Sequence, residues 1–438
     1  MYRNKGTITV FLSLISMLFL SLFCTMAESV RVQAARFQAA AAFDMGLFSI
    51  FGEYDRVLLE EYDLWFLDGS SEEQKIREVL ETKLEKYIQP NINPRYNLAA
   101  GRSWDVFPTE LDRCTVDKYA LATDHGGQVF YSQAVENQKE LFVGEAASAL
   151  KKNIKQMEEG HQKGEEYQNE EQKADEEYQR AQAAQMEEKK RQESEKENAE
   201  KQEKSDTDIK ETEAVQAKVE NPLDQIKKIK SMGILGLVLK DGTVFSDKTI
   251  ERKNLPSERN LQKGSLLVNE ISADPVSEAI FLNYLQKHFQ CAIDEGGKHQ
   301  KGSKEHSLSY ELEYIIGGQK SDRENLKKTV NRILLIREGM NYATLAKSAK
   351  MRGEAMALAA AITGAAALPE FAGALQKLLM LAWAYGESLL DVRTLLAKGK
   401  VPMLKAETEW KLPLEKLGML AEVLKECDAG GGNGILKI

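Results

Sequence analysis

Cysteine and histidine are both scarce in this chain, and each scarcity removes a class of protein. Four cysteines in 438 residues, at positions 24, 114, 291 and 427, are too few and too far apart for a disulfide scaffold. One bridge among Cys114, Cys291 and Cys427 is compatible with an exported location, and the spacing does not choose the pair. Of the five histidines, only His288 shares a helix face with a cysteine, Cys291, at a spacing of three. His299 and His306 follow in a polar stretch, without the close ligand pairs of a closed zinc motif, so no metal is expected. No GxSxG elbow, DxDxDG calcium loop or phosphate loop occurs; the terminal "DAGGGNG" lacks the lysine and the strand-to-helix setting of the last. Asp124 and His125 in "ATDHGG" therefore read as a polar turn ending in Gly126 and Gly127. Glu60, Glu61, Asp63 and Asp68 read as a solvated helix face interleaved with Leu58, Leu59, Tyr62 and Trp65. No basic patch with interleaved aromatics appears, which argues against nucleic acid as a partner. No catalytic residue and no cofactor are expected.

What the chain does have is a long uncharged run at its start. From Thr7 to Ala27 no residue is charged, and twenty-one helical residues cover roughly 30 Å, the thickness of a bilayer core. A secretory signal has a shorter apolar stretch, about 7 to 15 residues, and then a small-residue cleavage site; an uncleaved anchor fits better. A lipoprotein reading of Cys24 is disfavoured by bulky Phe23 just before it. Arg3 and Lys5 on one flank balance Arg31 and Arg36 on the other, so basic residues alone do not orient the span. The very short leading segment favours a cytoplasmic N-terminus, a single crossing of the cell membrane and an extracytoplasmic body.

The helical pattern does not stop at the membrane surface. No proline occurs between Glu28 and Phe51, and the first glycine there is Gly46. Val30, Ala34, Phe37, Ala41, Phe48 and Phe51 lie mostly at alternating fours and threes and form a candidate packing face, interrupted by Asp44. It would pack on its own domain or, less simply, on another subunit.

A helix apolar in its first half and amphipathic in its second has the plan of a pilin-like subunit. The stretches "KGTITVFLSLISMLFL", "ESVRVQAARFQAAAAFDMGLFSIFGEYDRVLLEEYDLWFLDG", "GILGLVLKDG", "SDRENLKKTVNRILLIREGMNYATL" and "LLDVRTLLAKGKVP" resemble an uncharacterised family of Gram-positive bacterial membrane proteins. Its members are similar to TadE- and TadG-like components of tight-adherence (Flp-type) pilus loci. That resemblance implies an assembly role without an assigned activity. It implies partners too: the lipid bilayer, and other pilus-locus membrane proteins or a second copy met through the N-terminal helix. Prepilin-type cleavage would fall after Gly6, but Phe11 stands where such pilins carry an acidic fifth residue. The alternative from a different class is an exported envelope hydrolase whose site assembles only in three dimensions.

Between Lys151 and Glu220 there are fourteen basic and twenty-one acidic residues, leaving 45 against 47 elsewhere. With almost no large apolar residue at helical spacing, this insert is expected to bury no core and to serve as a solvated spacer. Ser70 with Glu73 and Ser321 with Glu324 mark two capping boxes. A strand is expected in "CTVDKYALATD", and a buried helix or strand ending in an Asp-Gly turn in "MGILGLVLKDGTVF". Helices are expected near 128–150, 275–293 and 308–316. The run "LQKLLMLAWAYGESLLDVRTLLA" carries Lys377, Glu387, Asp391 and Arg393, each costing about 2.5 to 3.5 kcal/mol at a bilayer centre, so it reads as a buried helix of a water-soluble body.

The expected architecture is thus α+β, mainly α: a long N-terminal transmembrane and juxtamembrane helix, a mostly helical ectodomain with a small sheet, and a charged helical or disordered insert. By residue, 1–6 are the cytoplasmic start, 7–27 the span, 28–150 the juxtamembrane helix and first half of the ectodomain, 151–221 the insert, 222–427 the second half and 428–438 a flexible tail.

Overall fold

The computed structural model describes residues 5–68, 76–92, 96–97, 103–104, 109–139, 144–200, 222–239, 246–251, 253, 255, 264, 266, 274–293, 306–364 and 367–429. Among them thirteen α-helices follow in order: α1 Lys5–Phe51, α2 Arg56–Tyr62, α3 Ile76–Ile92, α4 Asp124–Lys139, α5 Gly144–Glu200, α6 Pro222–Ser231, α7 Ile234–Val238, α8 Pro275–His288, α9 Glu311–Gly317, α10 Asp322–Lys347, α11 Ala349–Thr363, α12 Pro369–Leu396 and α13 Leu420–Ala429. They form two compact units: residues 1–141 with 252–284, and residues 142–251 with 285–438.

In the first unit α1 runs unbroken for 47 residues and packs against α3. Ala42 and Ile50 join Leu84, Ile88, Ile92 and Cys114 in one buried cluster. Gly46 lets the two helices close: a Cβ there would lie 2.5 Å from Ile88 Cγ1. Gln38 fastens the pair by donating to the Asn91 carbonyl at 2.8 Å. Asp55 caps α2, its carboxylate accepting the Val57 and Leu58 N–H groups, and Asp63 ends it in the left-handed region at φ 53°. The acidic cluster read from the sequence thus includes a helix terminator. On α4, Phe130 and Tyr131 meet Phe281 on α8 edge to face. Tyr284, fully buried, donates to the Tyr62 carbonyl at 2.6 Å.

The second unit is a helical bundle around α12, of which sixteen residues are buried. The α10 helix lies against it, capped by Ser321, whose hydroxyl accepts the Glu324 N–H at 3.3 Å. The third long member is α5. Most of it is the first part of the charged insert, and here the structure corrects the expectation that the insert buries no core. Gly160, Gly164, Tyr167, Ala174 and Gln185 are buried, at steps of four, three, seven and eleven residues that keep to one helix face. Tyr167 reaches through the bundle to donate to the Leu381 carbonyl at 3.0 Å. The seam is made of small and aromatic residues rather than leucines, and the glycines decide how close the helices come: a Cβ on Gly339 of α10 would overlap the backbone of Lys163 and Gly164. Beyond the bundle, residues 191–195 are exposed; residues 201–221 of the insert lie outside the described residues.

The small sheet is a second correction. Among the described residues only Tyr96–Asn97 and Ser103–Trp104 pair, two residues against two, and isolated bridges join Tyr54 to Leu67 and Thr249 to Ser321. The chain is mainly α rather than α+β. The "CTVDKYALATD" segment is not a strand because its backbone pairs with side chains: Cys114 N–H donates to Glu85 at 3.2 Å and Val116 N–H to Glu81 at 3.0 Å, both on α3. The apolar part of "MGILGLVLKDGTVF" becomes the five-residue α7, burying Leu235, Leu237 and Val238; its Asp-Gly turn, like the Ser70–Glu73 box, lies outside the described residues. The helices expected at 275–293 and 308–316 form at Pro275–His288 and Glu311–Gly317.

Candidate functional site

The candidate packing face of α1 is not the face that the first unit buries. Val30, Phe37, Phe48 and Phe51 remain exposed, Phe37 at 77 % and Phe48 at 80 %, while Ala34 and Ala41 are half-buried. What α3 covers is the side carrying Ala42, Gly46 and Ile50. At 100° per residue these centre about 160° around the helix from the exposed stripe. The candidate face follows the three-and-four spacing of its residues, whereas the contact with α3 is made where alanine and glycine let the helices close.

The densest polar constellation lies inside the second unit, on α10 and α12. Glu387 and Asp391, one turn apart on α12, are fully buried, and Arg337, Asn341 and Lys405 almost so. Arg337 grips one Asp391 oxygen through Nε at 3.0 Å and Nη2 at 2.8 Å. Its third nitrogen donates to the Pro402 and Met403 carbonyls, each at 2.9 Å. Asn341 bridges Ser388 Oγ and Asp391. Lys405 pairs with both carboxylates, and Glu387 also accepts the Lys411 and Leu412 N–H groups at 3.0 and 2.8 Å. Two cations balance two anions in a dry interior, and backbone groups take up much of the remaining hydrogen-bonding capacity. Such an arrangement holds the segment 402–412 onto the helix pair; it leaves no open face to a substrate. Two of the charges that argued against a membrane span at α12, Glu387 and Asp391, are the carboxylates of this cluster. The sequence signal was available, as Glu387–Asp391 and Arg337–Asn341 are both four apart.

Beside it, Glu338 is 8 % exposed. Burial pushes its carboxyl up to about 8, against the opposing pull of Lys230, while the Glu171 carboxylate adds to the rise. Lys230 itself pairs with Glu171 and stands 4.9 Å from the Tyr385 ring centre. Between α5 and α10 a half-open groove of about 320 Å³ is lined by Lys163, Glu166, Tyr167, Glu170, Tyr342 and Lys347, among others. Its charged lining is two lysines, Lys163 and Lys347, and two glutamates, Glu166 and Glu170, and among the described residues its lining includes no histidine, serine, threonine or cysteine.

The remaining sequence candidates are dispersed. Asp124 accepts the Leu121 N–H at 2.8 Å and the Gly264 N–H at 3.0 Å, while His125, Gly126 and Gly127 all take positive φ and His125 is exposed. The pair organises a turn. His306 Nδ1 lies 2.7 Å from Glu311; Glu311 and Glu313 accept the Gln290 and Ala292 N–H groups, fixing the turn that contains Cys291. His299 lies outside the described residues. Among the described residues no group of three His, Cys, Asp or Glu is placed to hold a metal ion, and Cys24 and Cys114 are free thiols.

The class that these features define is a mainly helical protein with, among the described residues, one helix, over Gly6–Phe51 near the N-terminus, long and apolar enough to cross a membrane. Residues 212–436, just over half of the chain, match a family of unknown function (DUF5702), and the chain belongs to that family. No curated protein and no solved structure matches it. The matched stretch contains the whole buried ionic cluster and none of α1 or α5.

Proposed function

We propose that the protein is a single-pass envelope component with a structural or assembly role, its N-terminus cytoplasmic and its helical body outside. The observation that carries this reading is the continuity of α1. One unbroken helix has an apolar, exposed first part and a later part packed into the first unit through Ala42 and Ile50, so a bilayer around the former would fix the attitude of the latter. The sequence resemblance to TadE- and TadG-like components supports placing that role in a tight-adherence pilus or related envelope machinery. The hydrolase reading has less support, since the buried carboxylates Glu387 and Asp391 are matched by cations and backbone donors.

The test is extraction of native membranes with alkaline carbonate, combined with an impermeant maleimide applied to cells carrying a single cysteine, Arg3→Cys or Gln192→Cys. Retention in the pellet with labelling at 192 alone is expected. Release into the supernatant would sink the anchor, and labelling at 3 alone would invert the topology. Deletion of the gene, followed by counting surface filaments, tests the pilus assignment separately: unchanged filaments would remove it and leave the anchor standing.

A further inference from the structure

We propose that the exposed stripe of α1 is a seam that pairs with a second copy of this chain, as a parallel two-stranded coiled coil. The steps from Val30 through Ala34, Phe37, Ala41, Asp44 and Phe48 to Phe51 are four, three, four, three, four and three. That is the 3.5-residue repeat of a two-helix seam rather than the broader face of a helix buried in its own domain. The same steps continue backwards through Ala27, Phe23 and Leu20 to Ser16, Ser13, Thr9 and Gly6. Small residues at those last positions let two helix backbones approach within a bilayer. On a straight helix this repeat drifts by about 20° per heptad, so a single register along the whole helix requires the left-handed supercoil of a coiled coil.

Three observations select the occupant. The opposite face is already covered by α3, and the first unit leaves Val30, Phe37, Phe48 and Phe51 exposed while half-burying Ala34 and Ala41. Lipid does not cover it: Phe48 lies twenty-one residues beyond Ala27, roughly 30 Å along an upright helix and past the headgroups. A second copy fits by shape, because Ala34 and Ala41 bracket Phe37 and give its ring room when identical layers face each other. The size is also adequate. Val30, Phe37, Phe48 and Phe51 are 68, 77, 80 and 51 % exposed, which at ordinary side-chain areas amounts to about 500 Å² per copy and about 1,000 Å² per pair, the lower bound of a specific interface before the membrane half is added. The parallel orientation rests on the reading of α1 as an anchor, since two copies then enter one bilayer in the same sense. Asp44 is the weak layer, where two carboxylates meet.

The experiment uses the full-length protein in native membranes, in a Cys24→Ala background, because Cys24 flanks seam residue Phe23 and would crosslink on its own account. Ala34→Cys and Ala41→Cys are compared with Val32→Cys, exposed but off the seam, after oxidation. Disulfide-linked dimer at 34 and 41 is expected at roughly tenfold the yield at 32. Adding Phe37→Glu to Ala41→Cys is expected to lower the yield roughly tenfold, since the seam would bury a carboxylate, and adding Asp44→Leu to raise it. Equal yields at all three cysteines, or crosslinked bands of another mass in place of the dimer, would overturn the proposal. Carbonate extraction of the same samples separates the two claims. If the protein is released, the anchor fails, and the same cysteine comparison on the soluble protein still decides the seam.

Discussion

At the scale of single residues, the second unit commits several charges to its interior, and two of those commitments are measurable. Lys405 neutralises Glu387 and Asp391 where none of the three meets water. Lys405→Met is expected to destabilise by about 3 to 5 kcal/mol, because it strands a buried carboxylate. Adding Glu387→Gln should recover much of that loss, and a double-mutant cycle of denaturant unfolding on the detergent-solubilised protein checks it; additive losses would show that the pair is not coupled. Glu338 behaves oppositely with pH. Its carboxyl is raised from 4.5 to about 8 by burial, so between those values the unfolded chain releases a proton that the folded chain retains. Stability contributed by the neutral acid is complete below about 4.5, falls through the window by up to about 1.4 kcal/mol per pH unit, and is gone above about 8. The groups facing it are Lys230 on α6, Tyr167 and Glu171 on α5, and Tyr385 on α12. Glu338→Gln should flatten the fall in thermal stability between pH 5 and 8. An unchanged slope would assign it to other groups.

At the scale of elements, contact between helices is set here by what is missing from side chains. Gly339 faces Lys163 and Gly164 so closely that Gly339→Ala should cost about 1 to 3 kcal/mol by pushing α5 off α10. Gly353, exposed on α11 with open space within 4 Å of where a Cβ would stand, should instead gain about 0.5 to 1 kcal/mol on becoming alanine. Thermal melts of the two variants should therefore move in opposite directions, and a shift of the same sign in both would remove close packing as the cause. The same physics explains what the sequence made legible. Ser321 and Glu324 announced the start of α10, and the uncharged run from Thr7 to Ala27 announced the first part of α1, because caps and long apolar runs act locally. The buried edge of α5 was missed because its seam is written in glycine, alanine, tyrosine and glutamine, which a count of large apolar residues passes over. On the α3-facing side of α1 the small residues Ala39 to Ala42 were legible as a place where another helix could approach, and Ala42 and Ala39 do meet the α3 cluster; Gly46, an isolated glycine in the sequence, was not. The strand expected at 114–124 failed because Glu81 and Glu85, remote in sequence, supply its acceptors.

At the scale of the whole molecule, α1 does two jobs that a cut can separate. Its first part is apolar and exposed; its later part supplies Ala42 and Ile50 to the core that also contains Leu84, Ile88 and Ile92. A chain beginning at Glu28 loses the former and keeps the latter, so it should be recovered without detergent with α3 still protected from amide hydrogen exchange. A chain beginning at Gly52 loses both, and α3 is left with an uncovered apolar face. Removing the burial of one isoleucine, one alanine and the surfaces they cover is worth at least about 3 kcal/mol, so protection of the α3 amides should drop roughly a hundredfold. Amides of α10 and α12 belong to the second unit, whose core contains no residue of α1, and should exchange alike in both chains. Equal protection of α3 in the two chains would mean that α1 only rests on the first unit, and an anchor so attached could not fix the attitude of the body it carries.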